Sequence, residues 1–257
     1  CSTIYTMSNA ANTPPIELPT GWLKGLIPTM NDTGFMFEVL DDYALDFIRY
    51  SGECDSEVLE LGCAYGVATI LALEAGAKVR ACDIDQRHLD ILLSRVPDGL
   101  EAQLKTELQH LPDAHLPDNQ FAAILCSRVF HFLTGDEIDA SLANMFRWLK
   151  PGGRLYLIAD TPYGIWRNFI PVWDANHEQG VRWPGYMSPL LEFLPYKPSG
   201  DHVGPPFMNL MSPELLTRAC EEAGFITLRA DWIARNDFTG SGQMDGRENC
   251  GIIAVKP

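Results

Sequence analysis

The stretch VLELGCAYGVAT, Val58 to Thr69, constrains this chain more than any other, because an apolar strand runs into small residues and opens directly into a helix. Gly62, Ala64 and Gly66 let the backbone turn sharply and let a ligand approach without meeting a side chain. The helix that follows presents N–H groups with no intrahelical partner. Such a terminus favours a negative group, a carboxylate for example, typically by about 0.3–1 kcal/mol. Ligand binding is therefore expected at this turn.

Around it the pattern alternates between short apolar runs and helical stretches: VLEL, VATILALEAG, KVRACD, QRHLDILLSRV. Alternation of this kind predicts βαβ units and an open, doubly wound, mostly parallel α/β sheet. Further strands are expected at Leu104 to Leu108, at Phe121 to Cys126, in RLYLIA, and in FITLRADWIA and NCGIIAVKP. A helix carries Ile138, Leu142, Met145, Phe146 and Leu149 at 3.6-residue spacing and is stopped by Pro151, Gly152 and Gly153. Ahead of the core, Phe37, Leu40, Ala44, Leu45, Phe47 and Ile48 approximate another helical stripe. Between Asp160 and Met211 the periodicity dissolves into a stretch rich in Trp, Tyr, Phe, Pro and Gly, too long for a structureless loop. It is read as a lid or, alternatively, as a supplementary core. The expected organisation is an arm and helical cap over 1–50, an α/β core over 51–159, a lid insertion over 160–211, and the rest of the core over 212–257.

Two further landmarks narrow the ligand. A dinucleotide turn wants glycine at its first, third and sixth positions, which here hold Gly62, Ala64 and Val67, so a pyrophosphate fits poorly. About 20 residues on, an acidic group at the end of the next strand can accept hydrogen bonds from a ribose. VRACDID offers Asp83 for this and Asp85 for capping the next helix, with the roles open to exchange.

Glu60 ahead of the glycine turn, then Asp83, then FAAILCSR and the Pro-Gly-Gly turn, in this order and spacing, resemble the class I S-adenosylmethionine-dependent methyltransferases. The likeness covers roughly Val58 to Ala159. It implies a Rossmann-like seven-stranded sheet with an antiparallel last strand. S-adenosylmethionine is the implied cofactor and S-adenosylhomocysteine the product, with a methyl group passing to an O, N, S or C atom of a small molecule. The resemblance places Glu60, Gly62, Cys63, Ala64, Gly66, Asp83 and Ile84 at the cofactor, with Ser127 and Arg128 at its methionine end. Matching ELQHLP to the family's acidic loop puts Glu107 and Leu108 beside the adenine, with Asp113 as a competitor. Two other readings stay open: a cofactor-binding module without catalysis, and a nicotinamide-dependent oxidoreductase.

Acceptor contacts are expected from Phe35, Phe37 and Tyr43 ahead of the core and from Trp166 and Trp183 in the insertion. If the acceptor is protonated at neutral pH, His131, Asp160 and Tyr163 are the candidate general bases. His131 reads equally as a packed residue, and Asp160 as a turn cap.

Composition limits the partners. A net charge of -15, with Lys and Arg scattered singly, would repel phosphate backbones and anionic membrane surfaces. No apolar run reaches the roughly 18 residues needed to span a bilayer, and the opening residues lack a basic-then-apolar leader pattern. The seven cysteines show no CxxC spacing and read as reduced core thiols of a cytoplasmic protein, and no metal site is expected. An oligomer is neither indicated nor excluded.

Overall fold

The computed structural model describes residues 17–19, 25–31, 34–195 and 204–257. The expected N-terminal arm lies outside them.

A two-stranded antiparallel hairpin opens the described chain, with β1 (Leu26–Pro28) paired to β2 (Phe35–Phe37). Helix α1 (Asp42–Gly52) follows, its N-terminus capped by Asp41, whose side chain accepts from the Ala44 N–H at 3.0 Å. The expected helical stripe therefore needs correction. Phe37 belongs to a strand because FMF pairs with LIP, and Leu45 lies on the solvent side at 49% exposure.

The core then alternates β3 (Val58–Leu61), α2 (Val67–Glu74), β4 (Val79–Asp83), α3 (Gln86–Arg95), β5 (Leu104–Leu108), β6 (Phe121–Ser127), α4 (Gly135–Trp148) and β7 (Leu149–Asp160). The 160–211 stretch holds α5 (Ile170–Glu178) and a short antiparallel pair, β8 (Tyr186–Met187) with β9 (Met208–Asn209). Helix α6 (Pro213–Glu222), β10 (Ile226–Ile233) and β11 (Asn249–Val255) complete the chain.

Seven strands form the central sheet in the order β10-β11-β7-β6-β3-β4-β5, with β11 antiparallel to both of its neighbours. The other pairings, β3 with β4 and β6, β4 with β5, and β6 with β7, are parallel. Successive side chains of a strand face opposite ways, and the inner strands use both faces. Leu59, Ile124, Cys126, Leu155 and Leu157 meet α4 and α6 on one side. Val58, Ala123, Leu125, Tyr156 and Ile158 meet α1 and α2 on the other. Burial on both faces is why these strands read as continuous apolar runs. Cys63, Cys82, Cys126, Cys220 and Cys250 are buried and unpaired, in keeping with packing thiols.

The insertion closes on a small core of its own. Phe169, Trp173, Met187, Leu190, Met208 and Leu210 cluster there with Leu215 of α6. It is tied to β7 where the Met211 N–H donates to the Asp160 carbonyl at 2.9 Å, and to the segment before α4 where Asn209 Nδ2 donates to the Leu133 carbonyl at 3.2 Å. Among the described residues no helix is long and apolar enough to cross a membrane, and no cluster of His, Cys, Asp and Glu could hold a metal ion.

Candidate functional site

From β3 the chain winds outward to β5 and then returns to β6 on the other side of β3. Ligands of open α/β sheets bind at such a switch point, beyond the carboxyl ends of the strands. A cavity of about 470 Å³ lies there.

Its floor is the turn after β3. Gly62, Ala64 and Gly66 all have left-handed backbone, with φ of 73°, 45° and 80°. That conformation costs an L-residue roughly 1–2 kcal/mol, and at Ala64 it is held by Asp83, whose Oδ2 accepts the Ala64 N–H at 2.8 Å. A Cβ on Gly62 would stand 2.4 Å from Val129 Cγ2, and one on Gly66 would stand 2.1 Å from Leu92 Cδ1. Gly62 and Gly66 thus have room only for backbone, while α2 beyond them has no side-chain cap.

Asp83 is buried, lines the cavity, and also accepts at Oδ1 from the Asp85 N–H at 3.0 Å and from His88 Nδ1 at 2.9 Å. Nε2 of His88 accepts the Met30 N–H at 3.0 Å, so the ring is the Nδ1–H tautomer. Through this ring the β1–β2 hairpin is anchored to the floor. The Arg87 guanidinium donates to the Met30 carbonyl at 2.7 Å and the Tyr65 hydroxyl to the Pro28 carbonyl at 2.8 Å, which close the same clamp. Asp85 takes the capping role, accepting the Arg87 N–H at 3.0 Å, and hydrogen bonds from Arg87 hold its carboxyl below the usual range.

Glu60 also lines the cavity and accepts from the Thr69 hydroxyl. Burial lifts its pKa from the ordinary carboxylate value to about 7. After β6, Arg128 has φ 58° and projects a nearly buried guanidinium into the wall. It donates to Asn249 Oδ1 at 2.8 Å, to Ser127 Oγ at 3.2 Å and to Asp41 Oδ2 at 3.3 Å, and it stacks 4.3 Å from the Phe37 ring centre.

Of the residues singled out in the sequence, Glu60, Gly62, Cys63, Asp83, Ile84, Ser127, Arg128, Phe35 and Phe37 line this one cavity, and Ala64 and Gly66 shape its turn. The others lie elsewhere. Glu107 turns away to pair with Arg80 at 3.0 Å, and Leu108 is 56% exposed. The cavity edge is instead formed just beyond them by Gln109, His110 and Leu111. Tyr43 is buried on the far side of α1, its ring against Gly251 and its hydroxyl donating to Asp231 at 3.3 Å.

None of the three candidate bases is among the residues that line the cavity. His131 Nδ1 accepts the Asp160 N–H at 3.3 Å, and burial holds the imidazole pKa below its usual value. Asp160 accepts from Asn249 Nδ2 at 2.9 Å. Tyr163 packs edge-on to Trp232 beneath the Arg247 guanidinium.

Trp166 joins the insertion core, and Trp183 covers Gly135 between the guanidinium groups of Arg182 and Arg218. The insertion reaches the cavity through Phe207 instead. Trp183→Ala is therefore expected to lower stability by about 2 kcal/mol or more, from lost ring burial and cation–π contact. Its affinity for a ligand of the cavity should be unaltered, and a paired thermal melt and titration would check both.

Sequence reasoning missed His88, Phe132, Thr134, Glu137 and Phe207, all of which line the cavity. His88 had a usable signal, since it sits in the first turn of the helix that Asp85 caps, five residues after Asp83. Phe207 had none, because only the packing of the insertion brings it here.

Comparison with known proteins agrees with this geometry. Residues 58–153 match the family model for a methyltransferase domain. Over 107 residues the chain is 33% identical to cypemycin N-terminal methyltransferase from a Streptomyces species, covering 41% of this chain and 42% of that protein. Over 141 residues it is 34% identical to the ribosomal protein L11 methyltransferase of Cellvibrio japonicus, covering 50% and 44%. The chain thus spans less than half the length of these curated relatives. The crystal structure of a glycopeptide N-methyltransferase complexed with S-adenosylmethionine superposes with a TM-score of 0.56 over 83% of this chain and 92% of that one, at 17% identity, a likeness of fold. Strand order, glycine turn and family match coincide on the same residues: 58–153 are similar to a methyltransferase domain, and the fold is that of a Rossmann-like methyltransferase.

Proposed function

We propose that this protein methylates a small molecule, with S-adenosylmethionine as methyl donor and S-adenosylhomocysteine as product. The observation that carries this reading is the left-handed turn at Gly62–Gly66, buttressed by Asp83, at the floor of a cavity on the switch point. The turn is fixed by the close packing of Val129 and Leu92 against Gly62 and Gly66, and Asp83 and Glu60 both bring carboxylates to the cavity. Asp83 suits the ribose hydroxyls, Gln109 to Leu111 the adenine, Glu60 the amino group and Arg128 the carboxylate of the amino-acid end.

When bound, the cofactor supplies a methyl group on a positively charged sulfur. The chain's own contribution is alignment and exclusion of water, which can account for several kcal/mol of the barrier. The hairpin clamped by His88, the start of α4 and Phe207 contribute walls of the cavity. A small acceptor is supported by the confined volume and by the acidic surface, which is unsuited to nucleic acid.

Titration of the protein with S-adenosylhomocysteine at a series of pH values tests the reading. Glu60 is ionised only above about pH 7, so the hold on a cationic amino group weakens as the pH falls through that value. In the ligand-free fold the sign is opposite. A carboxyl whose pKa is raised on folding contributes stability at acid pH that is lost as the pH climbs through 7. Affinity that rises from pH 6 to 8 in the wild type and is flat in Glu60→Gln is expected, and absence of binding at every pH would overturn the proposal.

A further inference from the structure

The cavity also holds residues not assigned to the cofactor. Phe35 from the hairpin, Phe132 after β6 and Phe207 from the insertion line it, and Glu137 in the first turn of α4 adds a carboxylate. Among the described lining residues, Glu60, Asp83 and Glu137 set three carboxylates against one guanidinium, that of Arg128. Arg128 is already engaged by Asp41, Asn249 and Ser127. An acidic acceptor would meet unfavourable potential here, whereas aromatic faces with a nearby carboxylate attract an ammonium group.

Resting on the methyltransferase reading above, we infer that the acceptor is an amine carried on an apolar, ring-sized frame, with its nitrogen held by Glu137 among the three phenylalanines. The bound ammonium first gives its proton to water. The nitrogen lone pair then forms the new N–C bond to the methyl, the electrons of the old C–S bond remain on sulfur, and the methylated ammonium is the product.

Glu137 also serves the helix. Its Oε2 accepts from the Thr134 N–H at 2.7 Å and from the Thr134 hydroxyl at 2.8 Å, making a capping box. Glutamine serves equally well in that motif, so Glu137→Gln removes the charge and keeps the cap. The experiment titrates protein loaded with S-adenosylhomocysteine with matched sets of arylalkyl amines, alcohols and carboxylates, and follows methyl transfer from S-adenosylmethionine to the same compounds.

Amines are expected to bind more tightly than alcohols of the same frame by about tenfold or more, as for a hydrogen bond to a charged group. Carboxylates should neither bind nor react, and kcat/KM for the amines should rise with pH. In Glu137→Gln the preference for amines over alcohols should disappear, with S-adenosylhomocysteine affinity intact. Equal binding of alcohols or carboxylates, no binding of any amine, or an unaltered preference in Glu137→Gln would overturn the inference. Failure of S-adenosylhomocysteine itself to bind would instead overturn the cofactor reading.

Discussion

Asp83→Asn should weaken S-adenosylhomocysteine binding by about ten- to a hundredfold, the equivalent of one to two charge-assisted hydrogen bonds. Asp83 is 4% exposed and receives three donors, from Ala64, Asp85 and His88. The substitution therefore acts twice: it removes the charge on which the proposed ribose contact depends, and it replaces one oxygen of the buttress with an amide that cannot accept. Either the Ala64 N–H or the Asp85 and His88 donors must then lose strength inside the protein. Calorimetric titration measures the effect, with a thermal melt on the same sample to confirm that the fold survives. An affinity within twofold of wild type would remove Asp83 from the binding site.

Gly66→Ala should have the largest effect on the fold itself. The residue must keep a φ of 80°, and its new Cβ would overlap Cδ1 of the fully buried Leu92 at 2.1 Å. Left-handed strain and overpacking together predict a loss of about 2–5 kcal/mol. For a chain of this size that corresponds to a fall in Tm of roughly 5–15 °C. Gly76 serves as a control, since its φ of 97° carries the same backbone strain but nothing lies within 4 Å of an added Cβ. Gly76→Ala should cost only the backbone part, about 1–2 kcal/mol. Equal losses at the two positions would show that the contact with Leu92 is immaterial.

Much of the architecture was legible because local sequence carries it directly. Parallel strands buried on both faces must be apolar throughout, so VLEL and FAAILC announce themselves. The glycine turn is equally local, since left-handed backbone and lack of space both demand small residues at those positions. Glu107 shows where this kind of reading stops. Its place at the end of β5 suits an adenine contact, but Cys82 and Glu107 are paired across the sheet, and the side chain is drawn back to Arg80. The cavity edge consequently passes to Gln109–Leu111.

The aromatic residues of the insertion show the same limit more sharply. Trp166, Trp183 and Phe207 are alike in composition, and only Phe207 reaches the cavity. The choice among them depends on how the insertion folds on its own core and where Asn209 and Met211 fasten it to the segment before α4 and to β7.

The sequence by itself determined the alternation of strands and helices, the turn whose glycines have room only for backbone, and the acidic residue facing it, since each is encoded within a few neighbouring positions. Tertiary structure alone decided which charged groups are free to meet a ligand. Arg80 took Glu107, the Asp160 N–H took His131, and α4 carried Glu137 into the wall. The physical reason is that a buried polar group is committed to the nearest partner in space, and distance in space is what a linear sequence does not record.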